Sequence, residues 1–138
     1  MGIQKIVEKI EIYVKAHYKK IPIDDFVLGE IPYNHRCHLN SVQKIEEGNA
    51  KDVILCYAID EEEDFSCVHF INQLENGKYQ DNTWGWKYKD YDYYLIKYVD
   101  KSEYKNIGQL LINTKQSLFD LHTTWFDKYI LKLSKNII

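Results

Sequence analysis

Apolar residues near the start of the chain recur at helical spacing: Ile3, Ile6, Val7, Ile10 and Val14, with Lys5, Glu8, Lys9 and Glu11 largely on the other faces. The spacing predicts a helix ending near His17–Lys20, before Pro22. Residues 20–35 hold both prolines, Gly29 and two aspartates, which predicts an irregular connection. A short second helix is expected from about Cys37 to Glu47. Leu39, Val42 and Ile45 supply its apolar stripe, and Gly48-Asn49 its stop signal.

The period then changes. Asp52–Ile59 is apolar and rich in β-formers, the acidic run 60–64 predicts a turn, and Phe65–Leu74 predicts a return strand. Asn76-Gly77 is a hairpin signal leading into a third strand, Lys78–Thr83, and Tyr91–Val99 predicts a fourth. From about Ser102 the pattern is helical again, with Leu110, Leu111, Leu118, Leu121, Phe126 and Ile130 as core candidates. Strands segregated from helices predict an α+β fold: N-terminal helices packed on a mainly antiparallel sheet, a meander from about 52 to 99, then C-terminal helices. With 138 residues and no repeat or linker, one domain over 1–138 is expected.

Composition narrows the function classes. Hydrophobic residues make up 45% of the chain and charged residues 28%, which predicts a folded globular protein rather than a disordered one. A net charge of −3 supplies no basic field for phosphates, so nucleic acid is not an expected partner. No apolar stretch approaches the ~20 residues that span a bilayer, so no membrane is expected either. The first residues lack the apolar core of a signal peptide, and the three cysteines (37, 56 and 67) include no C-x-x-C. Reduced thiols in a cytoplasmic protein are the expectation.

Cys37 lies where the loop Tyr33-Asn34-His35-Arg36 meets the second helix. A thiol at a helix N-terminus feels the positive end of the helix dipole and unpaired backbone N–H groups, which favour the thiolate and can also bind an oxyanion. His69 falls mid-strand among apolar residues. A general base there needs a carboxylate or amide to hold its second nitrogen, and the hairpin brings two candidates back beside it. With a two-residue turn at 76–77, Asn82 pairs with Ile71 and shares the face of His69. With a three-residue loop or a bulge, Asp81 takes that face instead. The spacing leaves both open.

The run from His69-Phe70-Ile71-Asn72 through Asn76-Gly77 to Asp81-Asn82-Thr83-Trp84 resembles the His-strand and Asp-strand hairpin of transglutaminase-like proteins. That superfamily shares the papain-like arrangement of a cysteine opening a helix, then histidine and Asp or Asn on successive strands. The resemblance covers about residues 33–86. Cys37-His38-Leu39-Asn40-Ser41 is also similar to the helix start of small bacterial and phage proteins of this shape. The resemblance implies a papain/transglutaminase-like fold and a cysteine acyl-transfer enzyme: a peptide or amide hydrolase, a deamidase or a transglutaminase-like transferase. Its substrate would be a protein or small-molecule amide or ester, and it would need no cofactor. It assigns Cys37 as nucleophile, His69 as general base and acid, and Asp81 as the group orienting His69, because Asp81-Asn82-Thr83 aligns with the family's Asp-Pro-Thr. Asn82 stands where that family has proline, and the residues before Cys37 lack its usual glycine- or tryptophan-rich context.

Asn40, one turn after Cys37, is a candidate to support the oxyanion or the catalytic loop, with Asn34 and Asn82 as further supporting candidates. Trp84 and Trp86 are candidates for the cleft wall, and the tyrosines of Tyr88–Tyr98 for a substrate groove. His35, Cys37 and His38 with Cys56, Cys67 and His69 offer enough zinc ligands, but their spacings match no structural zinc pattern, so no metal is expected. The rival class is a non-enzymatic binding or inhibitor protein on the same scaffold, for example from a mobile element.

Overall fold

The structure, a computed structural model, describes residues 2–124 and Ile138. The chain runs through α1 (Ile3–His17), β1 (Lys19–Lys20), a 3-10 turn, β2 (Phe26–Val27) and α2 (Cys37–Glu46). It continues through β3 (Asp52–Asp60), β4 (Phe65–Gln73), β5 (Tyr79–Gln80), a 3-10 segment Gly85–Asp90 and β6 (Asp92–Tyr98). A further 3-10 segment, Lys101–Asn106, leads into α3 (Ile107–Leu121). The fold is α+β, as the segregation of periods predicts. Among the described residues no helix is long and apolar enough to cross a membrane.

The six strands form one sheet in the order β1-β6-β3-β4-β5-β2. This is not the expected meander. β6 returns beside β3 rather than β5, and β2 pairs parallel with β5, so the sheet is mixed. The third strand, expected over Lys78–Thr83, stops at Gln80. There Asp81 Oδ1 accepts hydrogen bonds from the Thr83 and Trp84 N–H groups, each at 2.9 Å, and turns the chain out of the ladder. The connection expected to be irregular also supplies β1 and β2. Strands of two residues are too short to show a period.

β3 explains the continuous apolar run in the sequence because it is buried on both faces. Val53, Leu55, Tyr57 and Ile59 pack with Ile6, Ile10 and Val14 of α1 and with Ile107 and Leu118 of α3. Ile54, Cys56 and Ala58 face the other way, against Ile21, Phe26, Ile71 and Tyr93. Of the expected C-terminal core residues, Leu118 is buried, Leu110 and Leu111 pack at the edge of the first cluster, and Leu121 is 63% exposed. Phe126 and Ile130 lie outside the described residues.

Candidate functional site

The hairpin after β4 decides between Asp81 and Asn82. Asn72 pairs with Gln80 and Gln73 with Tyr79, and the Leu74 N–H donates to the Lys78 carbonyl at 2.8 Å. The loop is therefore Glu75-Asn76-Gly77, three residues, with Gly77 at φ 84°. Glycine takes this left-handed conformation without steric cost, and it closes a three-residue hairpin. Carried forward, that register sets residue 81 opposite residue 71, on the face of His69. Asp81 Oδ2 lies 2.9 Å from His69 Nε2.

Asp81 is fully buried and accepts one further donor beyond its own turn and His69: the Tyr93 hydroxyl donates to Oδ2 at 2.6 Å. Burial raises a carboxyl pKa, but the His69 charge and these hydrogen bonds outweigh it and hold Asp81 below its ordinary value. Asn82 does other work. Its amide donates to Asn72 Oδ1 at 2.9 Å and Gln80 Oε1 at 3.0 Å, and its Oδ1 accepts from the Glu30 N–H at 3.3 Å. It ties the segment after β2 to the hairpin and makes no hydrogen bond to His69.

Glycine is required beside Asp81 for a steric reason. A Cβ on Gly29 would run into the Asp81 carbonyl oxygen and carbon, so only a bare backbone can pass there.

Cys37 opens α2, whose cap residue Arg36 offers no side-chain hydrogen bond, so the first-turn N–H groups stay available. The helix packs on β4 beside an uncovered stretch of strand edge, because β5 pairs only with Asn72 and Gln73. His38, His69 and the Phe70 N–H all act on the Cys37 sulfur in favour of its thiolate. Since Nε2 of His69 faces Asp81, Nδ1 is the nitrogen that serves Cys37. Burial alone would push the Cys37 thiol up. The His69 charge, His38 and the Phe70 N–H outweigh it and bring the thiol down to about 6. Burial would lower His69, but Asp81 and Cys37 raise it to about 10. Between those values the pair is thiolate and imidazolium.

The other two cysteines are unlike it. Burial pushes both Cys56 and Cys67 well above the ordinary thiol range. Graded alkylation at neutral pH should therefore label Cys37 first, with a rate that rises through about pH 6 and then levels. Peptide mapping reads this out, and first labelling at Cys56 or Cys67 would contradict the arrangement.

The loop before Cys37 carries two non-glycine residues at positive φ, Tyr33 at 57° and His35 at 54°. That strained backbone is held by an amide pair: Asn34 Nδ2 donates to Asn40 Oδ1 at 3.0 Å, and Asn40 Nδ2 returns a bond to Asn34 Oδ1 at 2.9 Å. Asn40 Nδ2 also donates to Thr83 Oγ1 at 2.9 Å. Both Asn40 amide hydrogens are thus engaged. Asn40 clamps the Cys37 helix to the Asp81 turn, so its amide has no hydrogen left for an oxyanion.

Cys37 and His69 lie at the base of a cleft of about 420 Å³. Trp84 is its wall and lies flat on the His69 ring, with centroids 3.6 Å apart and planes at 6°. Tyr91 stacks behind Trp84 at 4.1 Å and also lines the cleft. Trp86, expected as a second wall, lines neither this cleft nor the smaller cavity beside it near Ile31 and Tyr33; it is 60% exposed, with the Lys87 ammonium 5.6 Å from its ring centre. Of the other tyrosines, Tyr93 is buried under Asp81 and Tyr94 packs in the core against α1. The sequence reading gives Tyr93, Thr83 and Gly29 no supporting role at the site, and it places Tyr93 only among the groove tyrosines. Only their contacts with Asp81 and Asn40 distinguish them from ordinary core and loop residues. Among the described residues no group of three or more His, Cys, Asp or Glu is arranged to hold a metal ion.

Compared with protein-family models, curated proteins and solved structures, the chain matches none.

Proposed function

We propose that this protein is a cysteine-dependent acyl-transfer enzyme of the papain/transglutaminase-like type, with Cys37 as nucleophile, His69 as base and acid, and Asp81 as orienter. One observation carries the reading. A buried thiol at a helix N-terminus and a buried carboxylate share the two nitrogens of one imidazole, and the group opens onto a cleft. The same arrangement, a cysteine opening a helix with histidine and aspartate on a following hairpin, supports the fold assignment.

The chemistry follows from the geometry. The Cys37 thiolate attacks the carbonyl carbon of an amide or ester, and the oxygen gains charge against the first-turn N–H groups of α2. The tetrahedral intermediate collapses as the bond to the leaving nitrogen or oxygen breaks. His69 Nδ1 gives that atom its proton, leaving a thioester on Cys37. Water or an amine then attacks the thioester while Nδ1 takes the proton back, and the thiolate departs. Asp81 keeps Nε2 protonated throughout, so Nδ1 always faces the reacting atoms. Trp84, flat on the ring, blocks rotation out of this position.

Rate should require both charged partners. kcat/KM is expected to rise through about pH 6, as Cys37 ionises, and to fall above about pH 10, as His69 loses its proton. The direct test is an activated ester, p-nitrophenyl acetate, with rapid quench and mass mapping. The expected result is a burst of nitrophenol with acetyl on the Cys37 peptide, absent from Cys37→Ala. Acetylation of lysines alone, with no burst, would overturn the reading in favour of a binding protein on this scaffold.

A further inference from the structure

The charge around the cleft departs from that of the chain. Acidic residues outnumber basic ones, 21 to 18, yet among the described residues no carboxylate lines the cleft. Its walls are largely apolar or aromatic, including Phe65, Val68, Trp84 and Leu111, and beyond the Cys37–His69 pair the lysines that line it among the described residues are Lys87 and Lys115. A side arm of about 210 Å³ runs toward Ile31 and Tyr33, also without a carboxylate among the described residues, and Lys87 borders both arms. The two lysines come from separate elements, the 3-10 segment after Asp81 and the middle of α3. Among the described residues neither has a carboxylate partner, although Lys15, Lys20, Lys44, Lys78 and Lys97 all have one.

Three acids of the surrounding elements are held by hydrogen bonds, although Asp60 and Asp90 still act on Tyr91 at the cleft. Asp60 Oδ1 accepts the Glu62 and Glu63 N–H groups, Asp64 holds Gln4, and Asp81 is enclosed by four donors. Two ammonium groups that border an apolar cleft, with no carboxylate partner among the described residues, give the cleft a positive field.

We propose that this cleft selects an anionic acyl donor, an amide or ester carrying a carboxylate near its reacting carbonyl, held by Lys87 and Lys115 while its apolar part lies against Trp84 and Leu111. The proposal rests on the acyl-transfer reading and adds the charge class of the substrate.

Two alkylating reagents of nearly the same size separate charge from thiol reactivity. Iodoacetate is an anion carrying the required carboxylate, whereas iodoacetamide is neutral. The rates of both at Cys37 are measured at neutral pH and low salt by peptide mapping, in the natural protein and in the double variant Lys87→Gln/Lys115→Gln. The ratio of iodoacetate to iodoacetamide rates should fall about tenfold in the variant, with iodoacetamide losing little. At about 1 M salt, where charges are screened beyond about 3 Å, most of the difference should vanish. An unchanged ratio would overturn the proposal, as would an equal fall in both rates, which would mean that the lysines act on the thiol and not on the anion. Labelling that bypasses Cys37 altogether would instead remove the acyl-transfer reading, and the proposal with it.

Discussion

Cys37→Ala and His69→Ala should each lower acyl transfer by about 10³-fold or more, and the double variant should be hardly worse than either one. Without the thiolate no thioester forms. Without the imidazole the thiol loses the charge that most strongly opposes its burial, and its pKa rises toward the range of Cys56 and Cys67. Additive losses would mean that the two residues act separately. Asp81 is more demanding to test because both its oxygens are occupied: Oδ1 by two backbone N–H groups, Oδ2 by His69 and Tyr93. An asparagine there has one oxygen for two pairs of donors. Either its amide nitrogen meets the Thr83 and Trp84 N–H groups and opens the turn, or it meets His69 Nε2 and favours the wrong tautomer. Asp81→Asn should therefore cost about 10² in rate or more, and the His69 titration should move down from about 10, which NMR of the ring protons can follow. Asn82→Ala is the contrast. It should leave that titration in place and lower stability by about 1–2 kcal/mol, through hydrogen bonds that never reach the imidazole. A larger catalytic loss in Asn82→Ala than in Asp81→Asn would reverse the assignment of the third residue.

Gly29→Ala should be the most damaging single methyl group added to this protein. The new Cβ meets the Asp81 carbonyl, which is backbone and not a side-chain tip that can swing aside. Either the segment after β2 lifts off the hairpin, breaking the Asn82–Glu30 bond, or Asp81 shifts under His69. Overpacking of this kind costs about 3 kcal/mol, which for a chain of this length lowers Tm by roughly 10 °C. The loss of stability alone could be assigned to any buried position. What marks Gly29 is that Cys37 should also lose its fast alkylation below the melting range, because Asp81 no longer holds the ring. The control is Gly108→Ala on α3, where a Cβ meets nothing within 4 Å and the change should be neutral or slightly stabilising. Equal effects at the two glycines would refute the steric argument.

The candidate residues Cys37 and His69 were legible because each depends on local context. A thiol after a polar loop and before an apolar helical stripe marks a helix N-terminus, and α2 begins at Cys37 as expected. His69 falls inside a strand whose bounds, Phe65–Gln73, nearly coincide with the apolar run. What stayed open was the register. A hairpin with Asn-Gly at its tip accommodates loops of two or three residues, and one residue of slip exchanges Asp81 for Asn82 on the face of His69. The extended chain carries no local term that separates them. The choice is made by Gly77 in its left-handed conformation and by the Asx turn that halts β5 at Gln80.

Taken alone, the sequence determined the α+β arrangement, the ends of the long elements and the order of the three candidate groups, because periodicity and capping act over a few residues. Only the tertiary structure decided that β6 crosses back to β3, that β5 ends early and exposes the β4 edge to Cys37, and that Tyr93 and Gly29 bear on Asp81. It also decided that Lys87 and Lys115, 28 residues apart by their numbering, border one cleft without a carboxylate among the described residues. Those facts arise from contacts between residues distant in the chain, where steric exclusion and charge act through space and leave no periodic trace along the chain.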